Sequence, residues 1–296
     1  MQGISSESET EKSPRRVTLL WLTPLALLPV IAVIVLFLSL QPIWRAYQVQ
    51  DFLTQLDNSG PEEWEPLMES LVSVHKEIIG PLSKWIDSPS VERRIKSVTV
   101  LARLPSNRVN GILLRALKDE DVRVWRRCES ALINRWQRTD NPVTNSLFEH
   151  GLQLLRNQEW DEARKVFDFF VQREPPFPPE HVAEAYCQRA EAFYQEDAIH
   201  ECLRDCQEAL RLNPSHFGAL LIMGMCYHRE KNIHLAYDAY KRALEIHPHL
   251  DSARQMVEMI EDARKKAEEM YNSARERNAT ESREDLPLHL RRIPEP

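Results

Sequence analysis

Three side chains with metal-ligand chemistry lie within one short stretch: His200, Cys202 and Cys206. Imidazole and thiolate suit zinc, but a structural site needs four ligands, and three from one stretch leave the tetrahedron incomplete. A free cysteine is among the most buried residue types, so Cys202 and Cys206, four residues apart, read as small packing residues. The chain has five cysteines, an odd number, which does not read as a disulfide framework. His75 has no second candidate ligand near it and reads as a packing residue. The patterns GxxxxGK[ST], GxGxxG, HExxH, GxSxG and CxxC are absent, and no serine, histidine or aspartate sits on a strand-to-helix elbow of the kind nucleophiles use. The expectation is binding, not catalysis, with no metal and no cofactor. A second chemistry-bearing group is basic: Arg93, Arg94, Lys96, Arg123, Arg126 and Arg127. The net charge is −7 and the pI near 5.9, yet Val91–Arg138 carries a local net of +7. Those six residues form either a solvated helix face or a patch for an acidic partner or anionic lipid headgroups. The acidic chain as a whole gives no case for nucleic acid as a partner.

The elements that would position these residues are helices. Only seven glycines occur in 296 residues, few for a sheet with tight hairpins, and no stretch alternates with period two. In Phe217–Pro248 apolar and small residues recur at helical spacing: Leu220, Met223, Gly224 and Tyr227, then Ala236, Tyr240, Ala243 and Leu244. The polar break Arg229–Asn232 separates two amphipathic helices, and Pro248 cannot continue the second. One repeat length earlier, Ala183–Pro214 places Tyr186, Ala190, Phe193, Cys202, Cys206 and Ala209 at matching positions, with Arg189 where a Leu-like residue is expected. A third copy, Thr144–Pro175, offers Leu147, Gly151, Leu154, Ala163, Phe167, Val171 and Pro175, with His150 as its polar departure. Pro176–Glu180 supplies five extra residues and is expected to bulge as an extended loop. Asp251–Arg277 reads as one charged helix with Met256, Ile260, Ala263, Ala267, Met270 and Ala274 along a stripe, as a terminal cap of a solenoid should.

The pattern of Phe217–Pro248 closely resembles the tetratricopeptide repeat (TPR), with all eight signature positions filled. The resemblance covers 144–248 as three units (144–175, 183–214 and 217–248), followed by a capping helix over 249–277 and a flexible tail over 278–296. It implies a right-handed α-solenoid, all-α in class, and a concave surface built from first helices. The residues at those positions are Phe148, Leu152 and Leu155, then Cys187, Glu191 and Tyr194, then Leu221, Met225 and His228. Chaperone-binding members clamp a terminal carboxylate with Lys, Asn and Arg at such positions. This chain has Phe148, Cys187 and Leu221 instead, so the implied ligand is the apolar face of a partner helix or peptide.

Ahead of the repeats, Ile78–Leu104 and Val109–Arg135 align at an offset of 31, with Gly80 on Gly111, Leu82 on Leu113, Ile86 on Leu117, Val91 on Val122 and Leu101 on Leu132. The second copy resembles the short HEAT-like repeat, whose acidic corner, here Asp119–Asp121, caps its second helix. Asp87 and Ser88 are expected to do the same in the first copy. Trp125 is expected against Trp136 or the next element. This part spans 61–138.

Residues 1–16 form a polar tail, 17–44 a transmembrane helix and 45–60 a helical linker. The apolar core Leu19–Leu40 is long enough to cross a bilayer, and Trp21, Trp44 and Tyr47 suit its interfaces. Lys12, Arg15 and Arg16 precede the span while Arg45 alone follows closely, which places the amino terminus in the cytoplasm and the solenoid across the membrane. Asn278-Ala279-Thr280 fits the glycosylation acceptor pattern. The combined reading is an anchored interaction scaffold. The alternatives are an accessory factor in assembly of an envelope complex, like the anchored TPR proteins of c-type cytochrome maturation, or an enzyme subunit without a known motif.

Overall fold

The computed structural model describes residues 24–60, 63, 66–68, 75–172 and 177–284, and every element of secondary structure among them is helical. Compact packing divides the chain at Glu77/Ile78. In the first unit, α1 runs unbroken over Pro24–Asn58 and keeps Pro29 and Pro42 inside it. Helix and linker are thus one rod, and it stops where Asn58-Ser59-Gly60 ends the helical pattern. Pro29–Asn58 holds a stretch long and apolar enough to cross a membrane, and none of that stretch is buried against protein. Val33, Leu36, Phe37, Leu38 and Ile43 are all more than half exposed. Residues 17–23 of the expected span, with Trp21, lie outside the described residues.

The second unit is a chain of helix pairs. Helix α2 (His75–Trp85) leads into α3 (Val91–Arg103), and α4 (Arg108–Ala116) into α5 (Val122–Gln137). The acidic corner works as expected in the second pair, where Asp121 accepts from the Arg123 N–H. In the first pair Ser90, not Asp87 or Ser88, is the N-cap. It directly precedes α3, so its hydroxyl accepts from the Arg93 N–H in the first turn.

Three further pairs follow: α6 (Pro142–Arg156) with α7 (Trp160–Gln172), α8 (Pro179–Gln195) with α9 (Ile199–Leu212), and α10 (Phe217–Arg229) with α11 (Ile233–Ile246). Each pair turns through a residue with positive φ, namely Gln158 (65°), Asp197 (63°) and Lys231 (62°). The same backbone hydrogen bonds close each turn. Glu159 N–H reaches Leu154, Ala198 reaches Phe193 and Asn232 reaches Tyr227, all at 2.8–2.9 Å. A left-handed residue after the last helical carbonyl is how a helix end satisfies those carbonyls. Small residues sit where the helices of a pair approach most closely. A Cβ on Gly151 would lie 2.8 Å from the Phe167 ring, and one on Gly224 2.5 Å from Tyr240.

Two expectations change here. The insertion at 176–180 is not all loop: α8 starts at Pro179, earlier than the repeat phase requires. Proline suits the first helical position and Glu180 the positive end of the dipole, so the extra residues lengthen the helix, while Phe177 packs near Phe169, Phe170 and His181. The last helix, α12 (Asp251–Glu284), passes Arg277, because no glycine or proline interrupts the chain before Pro287. Only its first turns cap the array, with Ala253, Val257 and Ile260 buried against Leu220, Tyr240 and Ala243. Ala263, Ala267, Met270 and Ala274 are exposed and do not continue that packing.

Candidate interaction site

The nine first-helix positions do not form one open surface. Phe148 is fully buried, caged by Phe167, Phe170 and His181 at centroid distances of 5.3, 5.1 and 4.8 Å. The lengthened start of α8 is what brings His181 over it. Leu155 is 9% exposed and Cys187 4%, and a Cβ on Gly218 would lie 3.5 Å from the Cys187 sulfur. These three residues are core, so they cannot touch a ligand in this arrangement. Leu152, Glu191, Tyr194, Leu221, Met225 and His228 are half-buried. Leu221 and Met225 rest partly on the cap. Arg229 covers the Tyr194 ring at 4.2 Å and donates to the Tyr194 carbonyl and to Asp197 Oδ1.

The filled end of the face is closed by α5. The two tryptophans of α5 stand eleven residues apart, three turns along one face, and both rings meet the third helix pair, Trp136 where α10 begins and Trp125 just after α11 ends. Trp125 does not reach Trp136. It stacks on His249 at 4.9 Å, and Trp136 stacks on His216 at 4.8 Å. Polar contacts run along the same seam. The Asp119 carbonyl accepts from His249 Nε2, the Trp136 carbonyl from His181 Nδ1, and Gln137 donates to Glu184 Oε1.

At the centre of the seam is a buried hydrogen-bonded pair. His216 Nδ1 accepts from the Ala219 N–H, capping α10, so its proton sits on Nε2 and is donated to Glu184 Oε2 at 2.9 Å. Burial pushes the Glu184 carboxyl up, but the hydrogen bonds from His216, Gln137 and Gln188 outweigh it and hold the group below the usual carboxylate range. His181 is pushed down, chiefly by burial. Its Nδ1 must donate to the Trp136 carbonyl, which leaves Nε2 without a partner among aromatic rings. Sequence reasoning missed this seam. The signal was the pair of tryptophans on an otherwise basic helix, together with histidines just before or inside the first turns of α8 and α10.

The six basic residues do not all face solvent. Lys96 is 2% exposed and pairs with Glu92 at 3.3 Å. Arg94 makes a bidentate bond to Asp119 at 2.7 and 3.1 Å and also reaches the Ser88 carbonyl. Arg94 thereby ties the first helix pair to the second. Arg123 pairs with the N-cap Asp121, which it holds well below the usual carboxylate range, at about 2. Arg93 lies by the Trp85 ring, Arg126 by Trp125, and Arg127 is exposed.

Cys187, Cys202, Cys206 and Cys226 share one apolar cluster, and burial contributes to raising all four thiols. No cluster of three or more potential metal ligands occurs among the described residues. Arg189, the departure at a Leu-like position, is accommodated. It forms a bidentate bond to Asp205 at 2.7 Å, contacts Asp168 at 2.6 Å, and lies by Tyr186 and Phe193.

Repeat period, recurring turns and paired-helix geometry define, among the described residues, a TPR-like α-solenoid. No protein-family model matches the chain. It is similar to mitochondrial import receptor subunit TOM34 of Rattus norvegicus, 28% identical over 113 residues, which are 37% of this chain and 37% of that one. It is also similar to Hsp70-Hsp90 organizing protein 1 of Glycine max, 27% identical over 128 residues, 42% of this chain and 22% of the relative. The chain therefore spans well under half the length of these relatives. Among solved structures, the first TPR of Spaghetti (RPAP3) bound to HSP90 peptide SRMEEVD aligns with 40% of this chain and 91% of its own, at 23% identity and a TM-score of 0.37. The TPR domain of P58(IPK) aligns with 75% of this chain and 63% of its own, at 20% identity and a TM-score of 0.38.

Proposed function

We propose that this chain is a membrane-anchored interaction scaffold whose repeats hold the apolar face of a partner helix or peptide. The observation that carries the reading is the composition of what stays open on the first-helix face: Leu152, Tyr194, Leu221 and Met225, with Glu191 and His228 among them, all half-buried. A half-buried apolar strip bordered by a few polar groups suits an amphipathic helix laid in a groove. Phe148 and Cys187 are enclosed and Leu221 is apolar, so the basic cluster that would clamp a terminal carboxylate is missing. A partner of the HSP90-peptide kind seen on the Spaghetti repeat is therefore not the one proposed here. Binding is the proposed role, without catalysis. The exposed apolar surface of α1 supports membrane anchoring, and Lys12, Arg15 and Arg16 support a cytoplasmic amino terminus with the solenoid on the other side.

The test is recovery of partners from detergent-solubilised membranes by wild type and by Leu221→Asp/Met225→Lys. The double variant should keep its helicity and lose its stoichiometric partner. Recovery of the same partner at wild-type yield from the folded variant would reject the groove as the site.

A further inference from the structure

We propose that Cys202 and Cys226 are a redox-responsive pair that closes into a disulfide and staples the second repeat to the third. The two thiols come from different elements, Cys202 from the start of α9 and Cys226 from the last turn of α10. Their sulfurs lie 2.9 Å apart, and both residues are fully buried. A disulfide holds its sulfurs at about 2.05 Å, so closure asks for movement of roughly 1 Å.

The pair lies near one edge of the repeats, where the turns through Asp197 and Lys231 reverse the chain. A single arginine ties this edge together. Arg229 donates to the Tyr194 carbonyl at 2.9 Å and to Asp197 Oδ1 at 3.0 Å, joining the α8–α9 turn to the end of α10. Arg229 is 41% exposed and Asp197 77%, so this contact is of the kind that opens locally without global unfolding. Opening it would admit a small disulfide to the sulfurs. The Cys226 thiol is held in its protonated form, first by its hydrogen bond to Cys202 and then by burial. Exchange should therefore be slow in the closed state.

The chemistry is thiol–disulfide exchange with a low-molecular-weight disulfide such as oxidised glutathione. On opening, the Cys202 thiol gives its proton to water, and the thiolate attacks one glutathione sulfur. That S–S bond breaks and one glutathione thiolate leaves. Cys226 passes its proton to that thiolate and attacks the Cys202 sulfur, expelling the second glutathione thiolate, which takes a proton from water. Two protein thiols are oxidised and one glutathione disulfide is reduced. The bond would cross-link residues 24 apart in sequence in the cluster on which Tyr194 packs, and so couple redox state to the rigidity of the groove.

The experiment uses the full chain in detergent micelles with oxidised and reduced glutathione, followed by alkylation under denaturing conditions and peptide mapping. We expect a Cys202–Cys226 cross-linked peptide with three thiols left to alkylate, a higher melting temperature for the oxidised form, and several-fold faster cross-linking in Arg229→Ala. Cys206→Ser should keep the link and Cys226→Ser should lose it. Refolding from urea in the same buffer removes the kinetic barrier. Five free thiols after that refolding, or a link through Cys187 or Cys206 in place of Cys226, would overturn the proposal.

Discussion

Replacing Arg189 with leucine installs the kind of residue that the repeat pattern favours, and the structure predicts that this will harm the protein. Arg189 is 15% exposed, and it supplies both hydrogen bonds to Asp205, which is 7% exposed. The leucine variant leaves that carboxylate buried with no guanidinium. Removing one member of a buried pair costs roughly 3–5 kcal/mol, and the residual exposure of Arg189 argues for the lower end. Against a domain stability of about 5–15 kcal/mol, that should move a urea midpoint by about 1–3 M for a slope of about 1–3 kcal/mol/M. The double variant Arg189→Leu/Asp205→Leu removes both charges and should recover most of the loss. A pH dependence separates this from simple mispacking. Burial holds the Asp205 carboxyl above its ordinary value. A carboxyl raised in the folded state stabilises fully below its unfolded value and loses that contribution as pH rises through its folded value. Without Arg189 the upward shift grows, so the penalty of Arg189→Leu should be larger at pH 7 than at pH 4.5. The assay is urea unfolding of the full chain in micelles at both values. A single variant costing under about 1 kcal/mol, or a double variant no more stable than the single, would refute the reasoning.

Gly224→Val should lower stability by about 1–3 kcal/mol through overpacking, since even a Cβ would meet the fully buried Tyr240 ring at 2.5 Å; an unchanged thermal midpoint would contradict that contact. His181 is neutral in the folded state, with its affinity for a proton lowered by burial. Its contribution is therefore fully present above the unfolded value, near 6.5, and declines as pH falls below it. His181→Asn keeps a donor for the Trp136 carbonyl and should flatten the wild-type loss of urea resistance between pH 7.5 and 5.5. Leu36→Lys/Phe37→Lys places two charges at the middle of an apolar helix and should shift the chain from the membrane to the soluble fraction after cell lysis.

The repeats were legible because their signal is periodic: each pair needs the same small residues at its crossing and the same polar break at its turn, so three copies reinforce one another. What the periodicity could not show is how the pairs are finished. Arg189 breaks the pattern locally, and only the fold brings Asp205 and Asp168 to it, sixteen and twenty-one residues away in sequence. The extension of α8 depended on Pro179 starting a helix and not prolonging a loop, a choice that Pro176–Glu180 leaves open. Lys96 and Arg94 resembled surface charge because composition counts residues without saying which carboxylate stands opposite. The closed end of the groove was the least legible part. It depends on α5 meeting His181, His216 and His249, contacts between residues 45 or more apart that no local pattern encodes.

The central claim is that a partner lies on the open part of the first-helix face, and site-specific photo-crosslinking in intact membranes tests it most directly. A photoreactive residue at Met225 should capture one discrete partner, and the same residue at Arg127, exposed on α5, should capture none. Capture from Arg127 with nothing from Met225 would contradict the account.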